Sequence, residues 1–297
     1  MKFGRIFRER VDKTWMSAWT VVILITPLVI CGGLAWKSSL LLSDHSLADL
    51  LFSETWKPLS GMFGFRPFIL SSLWVTFLSL LFAGPVCLFS AIHFTFFANY
   101  RLTRVLQPAI DILAGIPSVV YGVWGVLVIV PFVSERLAPV FGVETSGYCI
   151  LSGALVLSVM IIPFILNLLI EIFRTIPVEL QEATLSLGAT YWITIRSVLL
   201  RKAVPGIVSA LGLGVSRAFG ETIAVLMVVG NVSRVPEGVF APGYPLTSLI
   251  ANNYGEMMSI PLYDSALMLA ALILFSIVLL FNLLSRFLII RYEKKYQ

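Results

Sequence analysis

The sequence predicts an all-α polytopic membrane protein with six transmembrane helices, and three observations carry that expectation. Of its 297 residues, 58% are hydrophobic and only 12% charged, where a soluble domain carries about 25% charged. The charges are clumped, leaving six apolar stretches long enough to cross a bilayer, a task that takes about 20 apolar residues. The basic residues, finally, are spread unevenly over the connecting segments. This composition excludes both a disordered chain and a soluble globular one.

The first stretch, residues 14–36, follows a basic leader at 1–13 that would suit a signal peptide. Its apolar run is long, however, and no small-x-small cleavage site follows Cys31-Gly32-Gly33, so it reads as a membrane helix. Trp15 and Trp19 at one end and Trp36 at the other stand where indoles anchor a span. An outer loop is expected over 37–66, with a short helix from Leu47 to Phe52. A five-helix core at 67–290 holds the stretches 67–100, 112–134, 145–170, 203–233 and 265–285, and a tail follows at 291–297. Cys31, Cys87 and Cys149 each fall within an apolar stretch without C-x-x-C spacing, which suggests neither a disulfide framework nor a metal site. His45 and His93 fall on opposite sides of the expected membrane, where nothing pairs them.

With six spans the termini share a side. Fifteen of the 21 basic residues lie on that side, five on the other, and Arg217 lies within a span. The positive-inside rule then makes both termini cytoplasmic. The net charge of +5 is mostly this topological bias, read by membrane lipid, and no compact basic face marks a nucleic-acid partner.

The largest inner segment, 171–204, opens with helix-starting chemistry, Pro177 followed by Glu179. A short helix is expected to run to Leu187 and stop at Gly188, a residue free to adopt positive φ, before Thr190 caps a second helix leading into the fifth span. On physics alone, such an elbow is also what a helix lying on lipid headgroups looks like.

The fifth stretch contains Arg217 and Glu221. An arginine at the centre of a membrane helix costs about 2.5–3.5 kcal/mol on the insertion scale, so it needs a reason. On an ideal helix the two share a face, and one reading is a mutually neutralising pair that holds the helix to a neighbour. The other is the wall of a polar path. Gly206, Ala210, Gly214 and Ala218 recur every four residues, as do Gly212, Ser216 and Gly220, and small residues let helix backbones approach closely. The guanidinium between those faces would hold an oxyanion by paired hydrogen bonds. In the third stretch Gly115 and Pro117 are expected to kink the helix, which makes Ser118 and Tyr121 further substrate candidates.

The segment E-A-T-L-S-L-G (182–188) resembles the E-A-A-x-x-x-G loop of ABC importer permeases. The resemblance implies a type I permease bundle in which this loop docks on the ATPase subunit, giving Glu179, Glu182, Ala183, Thr184 and Gly188 a coupling role. Thr184 stands in place of the family's second alanine, and Arg201 in place of its later proline. Within that family, S-R-A-F-G-E-T-I-A-V-L-M-V-V-G-N (216–231) resembles the R-A-x-G-E-T-x-A-V segment of the PstC-type phosphate permeases. A-G-I-P-S-V-V-Y-G-V-W-G (114–125), W-K-P-L-S-G-M-F-G-F-R-P (56–67) and P-L-T-S-L-I-A-N-N-Y-G-E-M (245–257) resemble other parts of the same permeases. The likeness runs from about residue 50 to the end.

No phosphate-loop motif, H-E-x-x-H or G-x-S-x-G is present, so ATP hydrolysis is expected in a separate subunit and no cofactor in this one. The resemblance implies a bacterial inner-membrane complex with a second, PstA-like permease, a PstB-like ATPase dimer and a PstS-like phosphate-binding protein outside. It implies import of phosphate. A permease for sulfate, molybdate or tungstate is the nearest alternative, since any oxyanion can use an intramembrane arginine. A membrane enzyme acting on lipid phosphates is a distant one, because Glu221 is the lone acid near the arginine in the sequence.

Overall fold

The computed structural model describes the backbone of residues 2–296 and the side chains of 12–292 apart from Met258. The side chains of the basic leader before Asp12 and of the tail after Tyr292 lie outside the described residues. Six described helices are long and apolar enough to cross a membrane: Asp12–Asp44, Arg66–Phe97, Ser118–Val140, Ile150–Arg174, Tyr191–Gly220 and Pro261–Tyr292, here spans one to six.

Span four is the axis of the bundle. It is apolar all round, the pattern of a helix surrounded by protein, and Leu157, Ile161, Ile165 and Leu169 along it are fully buried. Span five lies against it through small residues. A Cβ added to Gly206 would come within 2.5 Å of Ile172, and one added to Gly214 within 2.5 Å of Ile165. Gly212 faces the other way, 2.6 Å from Ser285 Oγ of span six by the same measure. Ala210 and Ala218 are buried. Gly220 differs from the packing expectation, because among the described residues no neighbouring element comes within 4 Å of its Cβ position.

The third and fifth stretches are cut differently from the sequence expectation. Residues 112–115 belong to a separate amphipathic helix, Tyr100–Gly115. Ile116 is extended, with φ −66° and ψ 129°, because a following proline disfavours the helical region; Pro117 then precedes the first turn of span three at Ser118. Span five ends at Gly220 instead of running on to 233, and Glu221 is extended, with φ −74° and ψ 129°. A short helix, Ile223–Val228, follows the break. Broken backbone at membrane depth survives only where its polar groups find partners. Here Thr247 Oγ1 donates to Glu221 O at 3.0 Å, and the Ala224 N–H donates to Glu221 Oε1 at 3.3 Å.

Span one stands almost apart. None of its most apolar window is buried, and its helix runs on past Trp36 to Asp44, shortening the loop expected from 37. It joins span six at one end, where Ser38 and Leu41 are fully buried, the Leu41 N–H donates to Ser265 Oγ at 3.1 Å and Lys37 pairs with Asp264 at 3.3 Å. The same end carries the helix Leu47–Phe52 and an antiparallel hairpin pairing Trp56–Lys57 with Met62–Phe63. The Trp56 ring is packed edge-on among Phe63, Phe65, Phe68 and Tyr263, with centroids 4.9–6.0 Å away. The Lys37 side chain is 53% exposed, and an exposed ion pair is worth under about 1 kcal/mol. Lys37→Ala is therefore expected to leave thermal unfolding in detergent nearly unchanged; a large fall would mean that this pair, rather than the apolar contacts around Leu41, holds span one.

Candidate functional site

Arg217 sits on the last turn of span five, where Gly214 beneath it draws the helix against span four. Its guanidinium carbon lies 4.7 Å from the centroid of the Phe164 ring. Phe164 is about 15 Å from the end of span four at Arg174, counting 1.5 Å per residue, which is near the middle of a core ~30 Å thick. Among the described residues the ion pairs are Lys37–Asp264 and Arg66–Glu54, so Arg217 takes part in neither. Its side chain is exposed in this chain. A guanidinium stacked on an aromatic face keeps its five N–H donors free at the edge, a geometry able to hold an oxyanion by paired hydrogen bonds.

Glu221 does not supply that counter-charge. The expected pairing at a spacing of four requires a continuous helix, and the break after Gly220 removes it. The half-buried carboxylate instead accepts from the Ala224 N–H and caps the helix Ile223–Val228, whose positive end favours an anion. A small cavity lined by Ser72, Thr76 and Thr247 adjoins it. Tyr121 is buried; its hydroxyl donates to Leu113 O at 2.8 Å. Ser118 is half-buried one turn earlier on the same span.

Three further polar residues lie beside this constellation. Gln107 Nε2 donates to Asn167 Oδ1, and Asn167 Nδ2 donates to Asp111 Oδ1, both at 3.0 Å. The sequence reading missed them because Asp111 marks the edge of the third apolar stretch and so looks like a loop charge, while Asn167 and Gln107 are uncharged. Their signal was the isolated amide within an otherwise apolar span.

The segment between spans four and five protrudes from one end. Its helix, Val178–Ser186, has no buried residue, and Glu179, Glu182 and Ala183 are exposed. Thr184 is half-buried and donates to Leu180 O at 2.7 Å. Leu187 is 88% exposed, and Gly188 turns the chain with φ 82°, a conformation open to glycine without strain. Thr190 then caps the next helix, accepting from the Ile193 N–H at 3.4 Å. Tyr191 donates to Phe96 O at 2.8 Å and ties the elbow to the end of span two.

A helical bundle of this kind is the fold of ABC importer permeases. Two inward-facing structures of the MetNI methionine ABC transporter superimpose with TM-scores of 0.55 and 0.57 at 20% identity, covering 77% and 80% of this chain and 94% and 99% of theirs. The chain belongs to the family described as the binding-protein-dependent transport system inner membrane component, which matches residues 83–295. It is thus the permease subunit of an ABC importer, a non-catalytic membrane subunit. Among curated relatives, the probable ABC transporter permease protein YqgH of Bacillus subtilis is 39% identical over 88% of this chain and 84% of its own length. The phosphate transport system permease protein PstC of Pasteurella multocida is 36% identical over 83% and 81%. A probable PstC of Methanocaldococcus jannaschii is 32% identical over 99% and 98%.

Proposed function

We propose that this permease carries inorganic phosphate into the cell, that Arg217 is the station the anion meets in mid-membrane, and that both termini are cytoplasmic in a bacterial inner membrane. The observation that carries the reading is the guanidinium stacked on Phe164 without an ionic partner in the described chain. Relatives named as phosphate permeases support it, as does the excess of basic residues on the side of the termini. The partners are a PstA-like permease completing the pathway, two PstB-like ATPases and a PstS-like binding protein. ATPase closure is received by the exposed loop from Pro177 to Gly188. The helix after it, Tyr191–Gly220, lines the route, with Tyr121 and Ser118 on its opposite wall.

Glu221 has one carboxylate oxygen occupied by the Ala224 N–H. The other is left to accept a proton-bearing phosphate oxygen, which sulfate lacks near neutral pH. Glu221→Gln is therefore expected to leave uptake measurable while eroding discrimination against sulfate and molybdate, read by competition against labelled phosphate. Unchanged selectivity would leave Glu221 as a helix cap alone. If sulfate, molybdate or tungstate outcompetes phosphate in the native transporter, the substrate assignment is wrong and the oxyanion route remains.

A further inference from the structure

A carboxylate is held on the loop side of the aromatic ring that underlies the arginine. Phe164, under the guanidinium, and Asn167 are three residues apart on span four, hence neighbours on one helix face. Asn167 is gripped by the helix Tyr100–Gly115 through Gln107 and Asp111. Those two are four apart and share a face of that helix. The ionised Asp111 can only accept, which fixes the amide: Asn167 Nδ2 turns to the carboxylate, and Oδ1 is left for Gln107. A second hydrogen bond ties the same helix to span three, since Tyr121 donates to the Leu113 carbonyl just beyond Asp111 at 2.8 Å. Asp111 is exposed and takes part in no ion pair among the described residues. Glu221, on the far side of the arginine, is committed to the Ala224 N–H.

We infer that Asp111 sets the release of the anion from Arg217, its fixed charge repelling an anion held there and offering the arginine a counter-charge once the anion has left. The inference rests on the oxyanion reading above. A fixed negative charge repels a neighbouring anion, the more strongly where water is excluded. Asn167 is the positioning residue that holds this carboxylate on the loop side of the site. Asp111 lowers the anion's hold in the bound state, so removing the charge deepens binding and slows exit together.

The test uses the complete transporter in proteoliposomes. Native uptake of labelled phosphate, sulfate and molybdate is measured first, and the anion that is carried is used for the rest. Asp111→Asn keeps an acceptor for Asn167 and removes the charge; Asn167→Ala keeps the charge and removes the hydrogen bond; Asp111→Glu restores the charge. Asp111→Asn is expected to lower the maximal uptake rate about fivefold to tenfold and to retain more label on the purified transporter after rapid filtration. Asp111→Glu is expected to return both toward native values, and Asn167→Ala, which loosens the carboxylate but keeps its charge, to show clearly less excess retention than Asp111→Asn. Identical behaviour of Asp111→Asn and Asn167→Ala would reduce Asp111 to a helix tie and overturn the inference. So would native rates in Asp111→Asn. A native transporter inert to all three anions overturns the oxyanion reading itself, and the inference with it.

Discussion

Arg217→Ala is expected to abolish labelled-phosphate uptake when it replaces the native chain at matched membrane levels in cells lacking their own copy. The loss should be at least about a hundredfold, since two charge-assisted hydrogen bonds at ~1.5 kcal/mol each disappear from the anion's mid-membrane position. The chain itself gives up only a stacking contact with Phe164, so its thermal stability should move little. Arg217→Lys keeps the charge but replaces a planar fork with a point charge, and is expected to restore uptake in part. Full uptake by the alanine variant would show that the anion does not depend on this side chain.

Leu187→Asp is the second large effect. Leu187 buries almost nothing against its own chain, being 88% exposed beside the turn at Gly188, so folding has no stake in it. On the proposed coupling role, an apolar side chain presented this way is an anchor for the ATPase surface, and a charge there costs about 2 kcal/mol or more, roughly thirtyfold. Uptake should collapse while the purified ATPase still hydrolyses ATP without stimulation by the binding protein. Co-purification of the subunits separates lost docking from lost signalling. Normal uptake would mean that the loop helix is not where closure is received.

The spans were legible because charge is so costly in hydrocarbon that its absence marks them. The elbow was legible too, since Pro177, Gly188 and Thr190 each have a local conformational reason. The helix break at Glu221 was not. No proline announces it, and the extended backbone there is held by Thr247, 26 residues away in sequence. A pattern of period 3.6 cannot register a partner that distant, so Arg217 and Glu221 looked like neighbours on one face. Residues 112–115 read as part of the third span for a related reason: in the sequence Asp111 looks like the edge of a span, whereas Asn167 accommodates it against span four. Arg217 itself stood out because its cost could be counted without knowing any contact.

The helix that begins at Tyr191, immediately after the exposed elbow, has Arg217 on its final turn. Its 30 residues extend about 45 Å, with a π-helical segment at Ile195–Leu199 and Pro205 inside it; its near end is tied to span two through Tyr191, and it stops at Gly220, before the extended Glu221. A rod that ran on through the bilayer would carry a push at its base across to the opposite surface. One that stops at this level would, on the proposed coupling role, deliver the displacement where it ends, at the turn that carries the guanidinium. On the same proposal, force applied at the elbow would reach the charge in mid-membrane along this helix, and the piece beyond the break is left to its own neighbours.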